Sequence, residues 1–261
     1  MNEKSYSQLL KDASVQVKKA GTLLLEQVHN DMIRKKAPKD FVTDIDTMVQ
    51  ETLQQGLHSL APEIQFMGEE KDNSDLDLSK PTWILDPVDG TLNLIHGFRH
   101  SAISLALSVQ KEVVLGIVYN PFSDEMFTAV KGEGAFLNGS PIHVSGCMEL
   151  SEAVCLVGTN PAYRKNSEQV FSRIRRLYEN SVDIRRMGSA ALDLCYVACG
   201  RADCYVEEGL FPWDYAAGIL IVKEAGGTVT DLQGEEVRID SNWGNVTISN
   251  GMLHDRLLQL V

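Results

Sequence analysis

The sequence predicts an α/β protein, α+β in its first half and α/β in its second. Three observations carry this. Strand-like runs at residues 103–109, 113–119 and 125–130 follow closely on one another and lead to the hairpin-turn pair Asn138-Gly139, which predicts an antiparallel meander. Beyond residue 151, short strand patterns alternate with helical ones. Ahead of both, residues 5–28 place Leu9, Val17, Ala20 and Leu24 on one helical face.

Taken in order, 5–28 is predicted as a helix, and 43–60 as a second with Thr43 or Asp44 as its N-cap. Residues 64–67 form a short strand running into Gly68-Glu69-Glu70. A polar loop over 71–80 precedes a buried strand, 82–85, that stops at Asp86-Pro87. After the meander, 141–151 is the expected boundary between a subdomain over 1–145, carrying most of the acidic clusters, and one over 146–261. The second half reads as strand 154–158, helix 168–178, strand 182–186, helix 189–199 and strand 202–206. Helix 214–225, closed by Gly226-Gly227, strand 246–249 and helix 253–260 complete it.

Composition narrows the function. The chain has 261 residues, 44% of them hydrophobic and 23% charged, and shows neither repeats nor low-complexity tracts. Its 24 basic and 36 acidic residues give a net charge of −12. Such a surface repels nucleic acid and anionic membrane, and the lone basic cluster Arg34-Lys35-Lys36 does not offset it. The start, Met1-Asn2-Glu3-Lys4, carries no apolar signal core, and the longest apolar run, from Ala216 to Val222, is too short to span a bilayer. Five cysteines without an export signal read as reduced thiols, so a cytoplasmic location is expected.

Three acidic clusters stand at the ends of regular elements: Glu69-Glu70, Asp86-Pro87-Val88-Asp89-Gly90-Thr91, and Trp213-Asp214. Singly, each has a plain reading as solvated face, turn or helix cap. Converging on one sheet edge, they would be a ligand site. Two carboxylates ~5 Å apart at an effective dielectric of ~20 repel by about 3 kcal/mol, so a shared cleft calls for cations. Oxygen donors without Cys or His select Mg²⁺, Mn²⁺ or Ca²⁺. A turn at Gly90 into a helix beginning near Thr91 would aim N–H groups at a phosphate.

These segments, with Ala216-Ala217-Gly218 and Glu224-Ala225-Gly226-Gly227 after Trp213-Asp214, closely resemble the inositol monophosphatase family across nearly the whole chain. The resemblance implies a layered αβαβα sandwich, shared with fructose-1,6-bisphosphatase, and a lithium-sensitive homodimer. It implies hydrolysis of a small phosphate monoester by metal-activated water, with two or three Mg²⁺ ions, or Mn²⁺. By position, Glu69, Asp86 and the Val88 carbonyl would hold one ion, and Asp86, Asp89 and Asp214 a second. Glu70 matches a third, water-mediated position. Thr91 and Asp46 match the pair that orients the attacking water. The Gly90 and Thr91 backbone would grip the phosphate, with Asp89 beside it. Gly188-Ser189-Ala190 matches a substrate loop with Ser in place of Thr, and Glu207 a hydroxyl-binding acid. Phe211-Pro212 departs from the inositol-specific pattern. Inositol monophosphate or a related sugar phosphate is the expected substrate. NADP, fructose 1,6-bisphosphate and 3′-phosphoadenosine 5′-phosphate are the alternatives, and a non-catalytic metal- or phosphate-binding interaction protein is the reading from another class.

Other patterns are weaker. Cys195 to Arg201 has cysteine-phosphatase spacing, but on an apolar helical stretch, and Cys204 lacks partners for a metal site. Gly132-Glu133-Gly134 never becomes a dinucleotide fingerprint. His96 and His100 follow the acidic cluster closely enough to meet substrate, and Lys35 could balance its charge, though core or solvated roles are commoner for all three.

Overall fold

Buried Leu9, Ala13, Val17 and Ala20 recur every three or four residues along α1 (Tyr6–Gly21), whose first turn is capped by the Ser5 hydroxyl accepting from the Gln8 N–H. The computed structural model, which describes residues 5–26, 33–37, 40–161, 164–240 and 243–261, ends this helix earlier than the pattern predicts. One 3₁₀ turn, Thr22–Leu25, follows, because Gly21 and Thr22 are weak helix formers. Residues 27–28 of the predicted helix lie outside the described residues, as does Met1-Asn2-Glu3-Lys4. In α2 (Asp44–Leu60), Ile45, Val49, Leu53 and Leu57 are buried at a strict four-residue spacing. Thr43 is its cap, with the Thr43 N–H donating to Asp46 at 2.9 Å.

Strands β1 (Ile33–Ala37) and β2 (Asp40–Thr43) pair antiparallel ahead of α2. The sequence did not reveal them, since Arg34-Lys35-Lys36 shows no alternation. A seven-stranded sheet follows, in the order β3 (Gln65–Gly68), β4 (Thr82–Asp89), β5 (Ala102–Val109), β6 (Glu112–Asn120), β7 (Glu125–Val130), β8 (Ala135–Leu137) and β9 (Ser140–Pro141). All neighbours are antiparallel except β3 and β4. The expected meander is present, and Asn138 (φ 50°) and Gly139 (φ 80°) turn its last hairpin in the left-handed region. The β4 strand does not stop at Asp86-Pro87. It continues to Asp89 with its register against β5 shifted between Asp86 and Asp89. Pro87 has no N–H to lose, so the break in the ladder falls where it costs least.

The second sheet runs β11 (Asp183–Arg185), β10 (Val154–Val157), β12 (Cys204–Leu210), β14 (Gly244–Ser249), β13 (Thr228–Thr230). β10 is parallel to both neighbours, and β14 antiparallel to both of its own. The three-residue β13 is too short to read from pattern. Against expectation β12 extends past Val206 to Leu210, through a register shift at Gly209 (φ 77°).

Helices complete the layers. α1 and α2 cover the face of the first sheet that presents Trp83, Leu85, Ile103, Leu105 and Ile117. Its other face, with Ile84, Ala106, Val118 and Phe127, meets α5 (Ala190–Ala198) and α6 (Pro212–Glu224). These two helices also pack on Tyr205, Val246 and Ile248 of the second sheet. The far side of that sheet, with Cys155 and Val206, is closed by α4 (Ser167–Asn180) through Leu177 and by α7 (His254–Leu258) through Leu257. The result is an αβαβα sandwich with α5 and α6 buried at its centre.

Candidate active site

The site forms where β3, β4, α5, β12 and α6 end or begin at one edge of the layers. β4 carries Asp86, whose Oδ1 accepts the Val88 N–H at 2.9 Å, and then Asp89. Gly90 (φ 90°) turns the chain into the short helix α3 (Thr91–Ile95). A Cβ at Gly90 would lie 3.1 Å from the carbonyl oxygens of Gly188 and His100, so the turn requires glycine twice over. Thr91 has a single hydroxyl proton and two acceptors in reach, Asp46 Oδ1 and the Val88 carbonyl, each at 3.1 Å. Asp46, buried at the start of α2, spends its other oxygen on Thr43.

Asp89 ties β4 of the first sheet to the start of α5. Its Oδ2 accepts from the Ser189 hydroxyl and from the Ala191 N–H (2.8 Å) at the start of α5. Ser189 is thus both the cap of α5 and a clamp on Asp89. Glu69 follows β3, its N–H donating to Leu85 at 3.2 Å, and Glu70 donates its N–H to Gln50 of α2 at 2.9 Å. Asp214 stands in the first turn of α6 and accepts the Phe211 N–H at 2.7 Å. That helix starts at Pro212, two residues ahead of the predicted start, because proline fits the first helical position.

Glu69, Asp89, Gly90, Thr91, Gly188, Ala190, Glu207 and Asp214 all line one cavity of about 190 Å³. Asp86 lies beneath it, buried, with its carboxyl pushed well above the usual range by burial and then by the charges of Glu69, Asp89 and Asp214. Burial, then Asp89 and Glu69, do the same to Asp214. Asp89 is raised to about 6 by burial, against the hydrogen bonds from Ser189 and Ala191. Asp46 is also raised to about 6, chiefly by burial. No cationic side chain figures among the chief influences on these four. Among the described residues, no three acidic, His or Cys side chains are drawn into a ready-made metal cage. The fit to a metal lies in the donors, which are hard, buried oxygens whose mutual repulsion a divalent cation relieves.

Several residues here escaped sequence reading. Gly158, Thr159, Asn160 and Arg186 complete the cavity wall. A Cβ at Gly158 would fall 1.8 Å from Glu207 Oε2, so only glycine leaves that carboxylate its place. Glu207 accepts the Tyr205 hydroxyl and is raised to about 7, mainly by burial. Asp193, in α5, is buried with Oδ1 unpartnered and is raised well above the usual range by burial and by Glu207. An acid within the apolar run Ala190-Ala191-Leu192-Asp193-Leu194 was the available signal.

The chain belongs to the inositol monophosphatase family. The model of that family matches residues 5–261. The inositol-1-monophosphatase of Rhizobium meliloti (strain 1021) is 38% identical over 235 residues, which is 90% of this chain and 88% of that protein. Among solved structures, the Thermotoga maritima IMPase superposes with a TM-score of 0.86 at 37% identity, covering 97% of this chain and 96% of the other. The extragenic suppressor protein suhB from Bartonella henselae gives 0.87 at 34%, covering 97% and 98%. The family places the layered sandwich alongside known inositol monophosphatases and suhB.

The remaining sequence candidates take structural positions. Cys195 is buried within α5 with its thiol pushed well up by burial, and Arg201 pairs with Glu125. The Gly132 and Gly134 N–H groups each donate to the Glu224 carboxylate at 2.8 Å, which ties the first sheet to the end of α6. His100 packs edge-on against Tyr196, His96 caps the C-terminus of α3, and Lys35 is exposed on β1. No helix among the described residues is long and apolar enough to cross a membrane.

Proposed function

We propose that this chain hydrolyses the monophosphate ester of an inositol or a related sugar, using Mg²⁺ and water. Family membership makes it a phosphoric monoester hydrolase. The observation that carries the finer reading is the gathering of Glu69, Asp89 and Asp214 around one cavity with Asp86 buried beneath it, four carboxylates from three separate segments, with no cationic side chain among the chief influences on Asp86, Asp89 or Asp214. Glu69, Asp86 and the Val88 carbonyl would hold one cation, and Asp86, Asp89 and Asp214 another, with Glu70 at a third, water-mediated position. When bound, such cations supply Lewis acidity and make water a competent nucleophile near neutral pH.

The chain's own groups do the rest. Thr91 can donate to Asp46 while its lone pairs accept a water O–H, so the pair holds a water on the phosphate side and offers its proton a path to a carboxylate. The N–H groups of Gly90 and Thr91 face the ester. Gly188, Ala190 and Glu207 receive the leaving group, with Glu207 accepting from its hydroxyls, while Ser189 acts through its clamp on Asp89. Homodimer assembly, lithium sensitivity and a cytoplasmic site of action belong to the same proposal.

Phosphate release from a panel of esters, with Mg²⁺ and with chelator, tests it. The panel includes inositol monophosphate, fructose 1,6-bisphosphate, NADP and 3′-phosphoadenosine 5′-phosphate. Turnover is expected only with the cation. Loss of an outer-shell partner of a metal ligand typically costs about 10–100-fold, so Asp89→Asn should cost more than about a hundredfold while the fold persists. An Asp89→Asn protein working at the wild-type rate overturns the assignment. A wild-type protein that hydrolyses nothing supports the binding-protein alternative instead.

A further inference from the structure

Arg186 is the one basic side chain among the described residues lining the cavity; the charged residues around it, Glu69, Asp89, Glu207 and Asp214, are all acidic. It is anchored rather than loose. Its Nε donates to Thr159 Oγ1 at 3.3 Å and its Nη2 to the Thr159 carbonyl at 3.0 Å. Nη1 lies beside Gly188, 2.3 Å from where a Cβ would stand there. A guanidinium has five N–H donors in a planar fork, so two bonds to Thr159 leave donors to spare on the cavity side. The influence of Arg186 is felt by Glu207 and Asp193 at the leaving-group end. It does not figure among the chief influences on Asp86, Asp89 or Asp214. The cavity is therefore bipolar, with carboxylates for cations at one end and, at the other, Glu207 beside a pinned guanidinium.

We propose that Arg186 is a specificity residue that extends the pocket to phosphate esters whose leaving group carries a second anionic group, a phosphate or a carboxylate, raising their kcat/KM relative to that of neutral polyol esters. This rests on the phosphatase reading. Glu207 alone would repel such a group, and an exposed lysine would hold it without a fixed direction. A fork held by Thr159 offers it paired donors.

The test compares kcat/KM in saturating Mg²⁺ for a doubly anionic ester, fructose 1,6-bisphosphate, with that for inositol 1-phosphate. It uses the wild-type chain, Arg186→Gln and Arg186→Lys. A charge-assisted hydrogen bond to a ligand corresponds to roughly 10–100-fold in affinity, so Arg186→Gln should lower the ratio of the two values by about that factor, chiefly through KM. Arg186→Lys should fall between, retaining charge but not the fork. A ratio unchanged within about twofold in either variant overturns the proposal, including the case where both substrates lose equally because Arg186 grips the reacting phosphate. A wild-type chain that releases phosphate from neither ester brings down the phosphatase reading itself, and this proposal with it.

Discussion

At Gly158 a single missing atom sets the shape of the leaving-group pocket. A methyl group there would overlap Glu207 Oε2, the same oxygen that accepts the Tyr205 hydroxyl. The overlap extends back to Glu207 Cγ, 2.5 Å from the added carbon, so the whole side chain has to shift, with the cavity it lines open to it. Gly158→Ala should therefore displace Glu207 and raise KM by roughly tenfold, about the value of one lost hydrogen bond to substrate, with a smaller change in kcat. Steady-state kinetics on inositol 1-phosphate check it, and an unchanged KM would remove Glu207 from the pocket's function. Sequence spacing pointed to Glu207 through the family resemblance, but not to Gly158, because a glycine at a strand end is ordinary until its neighbour across the sheet is known.

Among the elements, α6 is the one on which the site and the core both depend. It supplies Asp214 at its start and packs its middle against β6, where a Cβ at Gly116 would come within 2.8 Å of the Ala217 carbonyl. Gly116→Ala should push the helix off the sheet and destabilise the fold by about 1–3 kcal/mol, the usual cost of overpacking. Urea denaturation measures it, and an unchanged midpoint would mean that the contact is soft. The helix was legible over 214–225 because its apolar residues and the closing Gly226-Gly227 are local signals. Its true start at Pro212 and the extension of β4 through Pro87 were not. A proline inside a strand pattern reads as its end, and only the partner strand shows that β4 runs on, while at Pro212 only the first-turn geometry separates a helix start from the loop before it.

For the whole molecule, concentrated buried carboxyls link stability to pH and to cations. Asp46 and Asp89 are raised to about 6 and Glu207 to about 7, and burial also holds Asp86, Asp193 and Asp214 well above the usual range. A raised carboxyl keeps its proton in the folded state after the unfolded chain has lost it. Its stabilising effect is full below about pH 4 and disappears as pH rises through about 6 to 7. For Asp46 alone the linkage is on the order of 3 kcal/mol. His100 and His254, lowered by burial, work in the opposite sense, two imidazoles against six carboxyls. In chelator, then, Tm should fall between pH 5 and 8. Millimolar Mg²⁺ should restore it, more at pH 8 than at pH 5, because the cation competes with protons for the same oxygens. Calorimetric scans across that range check both, and a Tm in chelator that is flat or rises with pH contradicts the arrangement.

By itself the sequence determined the fold class, most of the elements and the chemical type of the site, since periodicity, caps, turns and hard oxygen donors are written in neighbouring residues. The tertiary structure decided what those residues face. It joined Asp89 to the start of α5, set Gly158 under Glu207, fixed Arg186 on Thr159 and buried Asp193 among other acids. Each of these depends on a distance between segments far apart in the chain, and a through-space distance leaves no local pattern along it.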